Sequence, residues 1–400
     1  MTAPAEAPEA ARQDPTAFST VIDTRAAPTG MSTLGEVLAD SVGVQVRRFG
    51  GLGDFSTVSV RGFAPSEVQV YLDGVPLSRA NNETVNLSDL PLDAVDHVEV
   101  YRGVTPLAFA QSGPGGVVNV VTRRPGTAPV TAASASYGSF NTRKADLVHA
   151  ATVGNWDVLA FAHYLGSAGD FRFTNDLGTP SPADDRSERR VNNAFNLGDL
   201  TARVAWHPAP SFGLALTSDT FTKENGLPGA GSVQSQLANL STLRQLVHLD
   251  GTLTQPAGLP VDVEARVYGL EQRQTFKAPF EGGQGGSVFP VTDTDQQTTA
   301  VGGQTLVRGA LGPHHVPGLL LAASRELLAE VDHVPVFPVL QPGAAPDRTR
   351  IRGTVAVEDE VLPFGERVSF VPALRWEIVR DDFPAAPRVA TALRTGGTSV

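Results

Sequence analysis

From about Val130 to the end, the chain is written in alternating segments, each about nine to fifteen residues long, separated by loops rich in Gly, Pro, Asn and Asp. In "LTARVAWHP", Leu200, Ala202, Val204 and Trp206 share one face, and Thr201, Arg203, Ala205 and His207 the other. "VDVEARVYG" sets Val261, Val263, Ala265 and Val267 against Asp262, Glu264, Arg266 and Tyr268. "RVSFVPALRWEI" sets Val368, Phe370, Leu374, Trp376 and Ile378 against Arg367, Ser369, Arg375 and Glu377. A soluble antiparallel sandwich also alternates. Segments this long, about eleven or twelve of them, instead match the roughly 9–11 residues that a tilted strand needs to cross an outer membrane. The pattern therefore favours a barrel wall with its apolar face toward lipid.

Composition agrees. The 400 residues include 40 Gly and 30 Pro, which implies many turns between short elements, and only 18% are charged. No apolar run approaches the ~18 residues of a membrane helix, so any contact with a bilayer is through strands or at its surface. The net charge of −11 argues against a nucleic-acid partner. The absence of cysteine excludes disulfides and thiolate metal sites. Residues 1–17, "MTAPAEAPEAARQDPTA", have neither a basic nor an apolar signal-peptide region and read as a disordered linker.

Residues 18–126 are written differently and form a small α+β unit. "FSTVIDT" is β-prone. "MSTLGEVLAD" carries a capping box, Thr33 with Glu36, ahead of Leu34, Val37 and Leu38 at helical spacing. Strands follow over 42–46 and 57–60, around a glycine-rich loop. "VQVYLDGVPL" (68–77) is a hairpin: Val68, Val70 and Leu72 face one side, Gln69, Tyr71 and Asp73 the other, and Asp73-Gly74 makes the turn. "NLSDLPLDAVDHVEVYRG" reads as a helical turn over 92–95 and a strand carrying Val98 and Val100. "SGPGGVVNVVTRRP" reads as a glycine turn and a strand over 117–122. A hairpin this small cannot bury a core alone.

The order of the parts supplies what it packs against. "TLGEVLADSVGVQVRRFGGLGDFSTVSVRGF", "VQVYLDGVPL", "DLPLDAVDHVEVYRG" and "SGPGGVVNVVTRRP" stand in the order and spacing of the plug of TonB-dependent receptors, which the chain resembles over residues 18–126. The resemblance implies a mainly β protein, a plug inside an antiparallel transmembrane β-barrel whose partial wall is residues 127–400. It implies active uptake of a scarce ligand, by default an iron-siderophore, across the outer membrane of a Gram-negative bacterium, with outer-membrane lipid around the wall and the TonB complex as energy source. Cobalamin, haem and glycans are the other ligands it allows.

It also implies residue roles. Arg61 and Arg102 match plug arginines that pair with wall glutamates, and Glu99 the adjacent acidic position; solvated surface charge is the other reading of the arginines. The loops near 49–55 and 78–84 match ligand-facing loops, which makes Arg48, Phe49, Arg79, Asn81 and Asn82 candidate contacts. Phe18, Thr20, Val21 and Ile22 are candidates for the strand that adds to TonB, although the same run reads more readily as the plug's own first strand. Gly62, Gly74, Gly103, Gly115 and Gly116 are turn glycines, of which Gly74, Gly115 and Gly116 are expected to supply positive φ, the last two in a "GPGG" that is no phosphate loop because no Gly-Lys-Ser/Thr follows.

No catalytic constellation, cofactor motif or metal-ligand spacing is found among the eight histidines, which include His97, His149, His163, His207, His248, His314 and His315. An enzyme is not expected. A 22-stranded wall needs on the order of 500 residues, and about 270 follow Arg124, so the expectation is roughly half a wall, from a fragment or a truncated gene. A truncated, non-transporting ligand binder or signalling receptor is the alternative.

Overall fold

The computed structural model describes residues 19–24, 33–77, 84–126, 128–229, 231–281, 289, 291–334, 343–363 and 368–383. Two sheets organise it, and the chain passes from one to the other after residue 122.

The first sheet has five strands in the order β1 (Ser19–Asp23), β6 (Val95–Tyr101), β7 (Val117–Thr122), β4 (Gln69–Leu72), β5 (Val75–Pro76). Only β4 and β7 run parallel. Helix α1 (Leu34–Ala39) begins with the expected capping box: Thr33 Oγ1 accepts from Glu36 N at 3.3 Å, and Thr33 N donates to the Glu36 carboxylate at 3.1 Å. Beside it lies the pair β2 (Val44–Arg48) and β3 (Ser56–Val60). Leu34 and Leu38 of α1, Val58 and Val60 of β3, and Val70, Leu72, Val98, Val100, Val118 and Val120 of the sheet form one core.

The 68–77 hairpin closes as its sequence predicts, with Asp73 and Gly74 both at positive φ, 50° and 75°. Its second face departs from the alternation. Tyr71, read as polar-side, is fully buried. Its ring lies 4.9 Å from that of Phe109, and its hydroxyl donates to Gln111 O at 2.8 Å and accepts from Gln111 N at 2.9 Å. Both faces of the sheet are covered, so β7 is buried along its whole length. Two further readings are corrected. β2 starts at Val44, leaving Val42 exposed. Gly115 does not adopt positive φ; it is small because a Cβ there would press on Val68, Phe63 and Glu67 O.

The second sheet has eleven strands, each antiparallel to its neighbours: β8 (Val130–Gly138), β9 (Thr142–Val153), β10 (Trp156–Ser167), β13 (Phe195–Ala209), β14 (Phe212–Gly226), β15 (Asn239–Thr254), β16 (Val261–Ala278), β17 (Thr292–Gly309), β18 (His315–Asp332), β19 (Gly343–Val361) and β20 (Ala373–Asp382). A hairpin, β11 (Arg172–Asn175) and β12 (Arg186–Arg189), stands in one connection. Among the described residues the sheet is not closed, and β8 and β20 each pair on one side only.

Register makes the inversion visible. Val204, Leu216, Leu249 and Val267 stand side by side on neighbouring strands and are 42%, 50%, 36% and 57% exposed. Thr201, Asp219, Arg244, Gln272, Thr298 and Thr354 point inward and are buried. An apolar outer belt with a polar interior is the arrangement of a wall solvated by lipid. The stacked pair Trp156–Trp206, with Phe212 against it, sits at the end closed by connections 154–155, 210–211, 255–260 and 310–314. At the other end, connection 168–194 carries the β11–β12 hairpin, and the described parts of the connections after β14 and β16, 227–229, 231–238 and 279–281, stand beside it. Short turns at one end and long loops at the other are the pattern of outer-membrane walls, whose short turns face the periplasm.

The five-stranded unit sits against the concave face. Leu246, Leu270 and Ala300, in one inward row of β15, β16 and β17, join its core. Leu107 packs on Leu306, Leu320 and Ala356.

Candidate functional site

Two segments of the small domain carry its polar contacts with the wall. The first is 86–93. Asn86 caps a single 3-10 turn, Leu87–Asp89, through Ser88 N at 3.1 Å. That turn aims Asp89 at β14 and β15, where Lys223 Nζ lies 3.1 Å from its carboxylate and 2.8 Å from Ser88 Oγ. Arg244 donates to Asp89 O at 3.0 Å and to Asp219 at 3.1 Å. One turn further, Asp93 meets Lys144 of β9 at 2.7 Å. The second segment is 106–112. Arg375 donates to Phe109 O at 2.8 Å, Thr354 to Ala110 O at 2.8 Å and Gln304 to Ala108 O at 2.9 Å, and Glu377 accepts from Ser112 N and Oγ at 3.1 and 2.8 Å. The domain is thus held by polar contacts at its two ends and apolar contacts between.

Asp93 also lies with Asp146 and His163, ligand atoms within 4.8 Å of one another. Chain spacing did not show this group, because it assembles across the two sheets. Lys144 Nζ sits 2.7 Å from Asp93 and 3.8 Å from Asp146, so an ammonium already balances the carboxylates, and the group acts as an ion-paired clasp.

On the long-loop side, domain and wall enclose a cavity of about 480 Å³. Phe49, Phe55 and Thr84 line it from the small domain; Lys223, Thr242 and Gln272 line it from the wall; Phe171, Arg190 and Gly229 line it from the outer loops. The Phe49 and Phe55 rings pack at 5.5 Å, with the Arg47 guanidinium 4.8 Å from the Phe49 centroid. Arg190 donates to Gly229 O and so joins two outer loops. Burial lowers its guanidinium from the ordinary value, while Asp54 pulls the other way. Glu281 ties a third loop to the second: it accepts from Ser235 Oγ at 2.5 Å and from Gln236 and Leu237 N–H at 2.8 and 3.1 Å, which hold its carboxyl below the usual range.

The candidate residues fall as follows. Phe49 lines the cavity, whereas Arg48 turns to Glu36 at 3.0 Å. Arg79, Asn81, Asn82 and Phe18 lie outside the described residues. Thr20, Val21 and Ile22 are paired with β6, and Thr20 Oγ1 accepts from Arg102 at 2.6 Å. Arg102 is buried, donates also to Ser41 at 2.7 Å, and is lowered from its ordinary pKa by that burial and by neighbouring Arg61. Arg61, at φ 52°, is exposed and donates its backbone N–H to Gly43 O at 2.8 Å.

Glu99 is buried inside the small domain. It accepts from Asn119 Nδ2 at 2.8 Å and lies 3.4 Å from His97 Nε2, while Asn119 Oδ1 takes the Gly74 N–H of the hairpin turn at 3.0 Å. Asp73 lies 4.0 Å from His248 Nε2 of β15, and two further charged contacts cross to the wall from Asp89 and Asp93. "SDLPLD" holds both, but helical or strand spacing alone gives them no common target; two successive 3-10 turns do.

His97 gives a pH dependence. Burial disfavours its charged ring, but Asp96 at 3.0 Å and Glu99 outweigh that and raise its pKa from 6.5 to about 9. A raised folded-state pKa stabilises fully below the unfolded value and is lost as pH passes the folded one. The denaturation midpoint of the small domain is expected to fall between pH 6.5 and 9, and a His97→Gln variant to be flat across that window in urea titrations.

A strand wall with a polar inner and an apolar outer face, and a small α+β domain against its concave side beneath a cavity, has the architecture of part of a plugged β-barrel. Comparison with known proteins sharpens this. Residues 11–117 match the family described as TonB-dependent Receptor Plug Domain. The vitamin B12 transporter BtuB of Vibrio cholerae is 30% identical over 168 residues, 42% of this chain and 27% of that protein. Among solved structures, the siderophore receptor PirA from Acinetobacter baumannii superposes with a TM-score of 0.68 at 14% identity, over 91% of this chain and 57% of that one. The copper transporter OprC gives 0.71 at 14%, over 90% and 55%. The chain thus spans a little over half the length of these solved proteins. Residues 11–117 thus carry the plug domain of TonB-dependent receptors, and the strands that follow share the fold of the barrel wall in these solved proteins. That family consists of outer-membrane receptors and transporters of Gram-negative bacteria rather than enzymes.

Proposed function

We propose that this chain serves active uptake of a scarce ligand across the outer membrane, gated by residues 18–126 as plug within a wall formed by 127–400, with 1–17 as the linker toward TonB. One observation carries the reading: the outward cavity is lined by plug and wall together, so displacing the plug dismantles the site and frees its occupant. The polar contacts at both ends of the plug suit a part that must move, since hydrogen bonds shared with water exchange more readily than close-packed apolar contacts. A ferric siderophore draws support from the likeness to PirA, and a corrinoid from the likeness to BtuB. Coupling through residues 18–22 requires β1 to leave β6, which would also withdraw Thr20 from Arg102.

The chain has no cysteine, so a Ser112→Cys, Glu377→Cys double variant can be bridged specifically by a short bis-methanethiosulfonate, each cysteine thiolate displacing methanesulfinate to form a reducible disulfide. In cells carrying the TonB system, accumulation of radiolabelled vitamin B12 or of an iron-labelled siderophore is expected to stop with the bridge in place and resume when a reductant cleaves its disulfides, while surface binding persists. Accumulation that continues with the plug bridged, or in cells without TonB, overturns the reading.

A further inference from the structure

The wall of the outward cavity presents hydrogen-bonding side chains that have no partner among the described residues. Asn225 of β14, Thr242 of β15 and Gln272 of β16 all line it and are only 8%, 6% and 5% exposed. Pairing places Thr242 beside Gln274, another cavity residue, and Gln272 beside Arg244 one row deeper. Their polar atoms are not sealed in protein but reach the cavity, where water satisfies them and the polar groups of an entering ligand would take its place. The cations of the lining are in a different state. Lys223 is held by Asp89 at 3.1 Å, Arg244 by Asp219 at 3.1 Å, and Arg190 by the Gly229 carbonyl with Asp54 as its charge partner. A multiply anionic ligand would have to break those pairs or stay unpaired in a partly desolvated cavity, which is unfavourable. Across from the rack, the plug offers the Phe49 and Phe55 rings, both accessible.

We propose that this site selects a large ligand presenting uncharged hydrogen-bonding groups, carboxamides or hydroxyls, beside a flat apolar face, with Asn225, Thr242 and Gln272 as its specificity-determining residues. The inference rests on the cavity being the uptake site argued above. Donor and acceptor atoms of the two amides and the hydroxyl would meet the polar edge of the ligand, and the phenylalanines its apolar face.

Equilibrium dialysis of the detergent-solubilised chain against three probes tests this: vitamin B12, whose corrin edge carries carboxamides; a linear malto-oligosaccharide, which carries hydroxyls; and ferric enterobactin, a triply anionic chelate. One of the first two is expected to bind at least tenfold more tightly than the third, and which one it is separates amide from hydroxyl recognition. Gln272→Ala and Asn225→Ala are expected to weaken that probe about tenfold each, the loss of about one hydrogen bond into a desolvated site. Thr242→Val should do the same while Thr242→Ser keeps affinity, a pair of near-isosteric changes that leaves folding out of the comparison. Tightest binding of ferric enterobactin, no binding of either neutral probe, or neutral binding untouched by the three substitutions overturns the proposal. The bridged-plug experiment reads transport and not selectivity, so either idea can fail while the other stands.

Discussion

Replacing Asp89 by alanine is expected to loosen the plug from the wall by about 3–5 kcal/mol, the range for removing one partner of a buried ion pair. The magnitude follows from what is left behind. The Lys223 side chain is 6% exposed, and without Asp89 its ammonium keeps only the Ser88 hydroxyl. Arg244 retains Asp219 and the Asp89 carbonyl, so the loss centres on one cation. Asp89→Asn keeps an acceptor but no charge and should fall between. The exposed pair Arg48–Glu36 on the plug surface, by contrast, is worth at most about 1 kcal/mol. The measurement is protease cleavage within residues 19–126 along a urea series in detergent: the Asp89→Ala plug should become cleavable at much lower urea than the parent, with Arg48→Ala, which removes the exposed pair but leaves the α1 cap, close to the parent. Equal midpoints for Asp89→Ala and Arg48→Ala would show that the wall contacts of the 86–93 segment do not hold the plug.

The same contrast explains how much of this protein is legible in its sequence. Local rules were sufficient for α1, whose cap is written in Thr33 and Glu36, and for the Asp73-Gly74 turn. Period-two alternation was sufficient for the wall, because lipid outside and a wet lumen inside impose opposite demands on successive residues. Tyr71 escaped because its burial comes from Phe109 and from residues some forty positions on. A pattern of period two reports that two faces differ, not that both are covered. The cavity escaped for the same reason. Phe49 could be placed near a ligand by resemblance, but Asn225, Thr242 and Gln272 are ordinary inward residues of three strands until the register steps them, one row apart on neighbouring strands, around one cavity. Glu99 and Arg102 stand three apart in sequence and serve different networks, one closing the hairpin turn and one joining β1 to the segment after α1.

Gly116→Ala is expected to destabilise the plug by roughly 4 kcal/mol, the sum of a strained backbone and a collision, whereas Gly62→Ala should cost about 1–2 kcal/mol. Both glycines have positive φ, 93° and 81°. They differ in what surrounds them. A Cβ at Gly62 meets nothing within 4 Å, so only the left-handed backbone is paid for. A Cβ at Gly116 would sit inside the carbonyl of Tyr101, where β6 and β7 come together, and close to the Arg102 backbone. That carbonyl belongs to the strand end that places Arg102 between Thr20 and Ser41, and neither backbone can withdraw without unpairing β6 from β7. The prediction is checked by urea denaturation of the two variants followed by tyrosine fluorescence, since Tyr71 and Tyr101 are both buried in the plug, with the tyrosines of the wall replaced by phenylalanine. Equal midpoints would mean that the close approach at Gly116 relaxes without cost; a large loss at Gly116 alone would establish that contact, rather than positive φ, is why the turn before β7 is glycine.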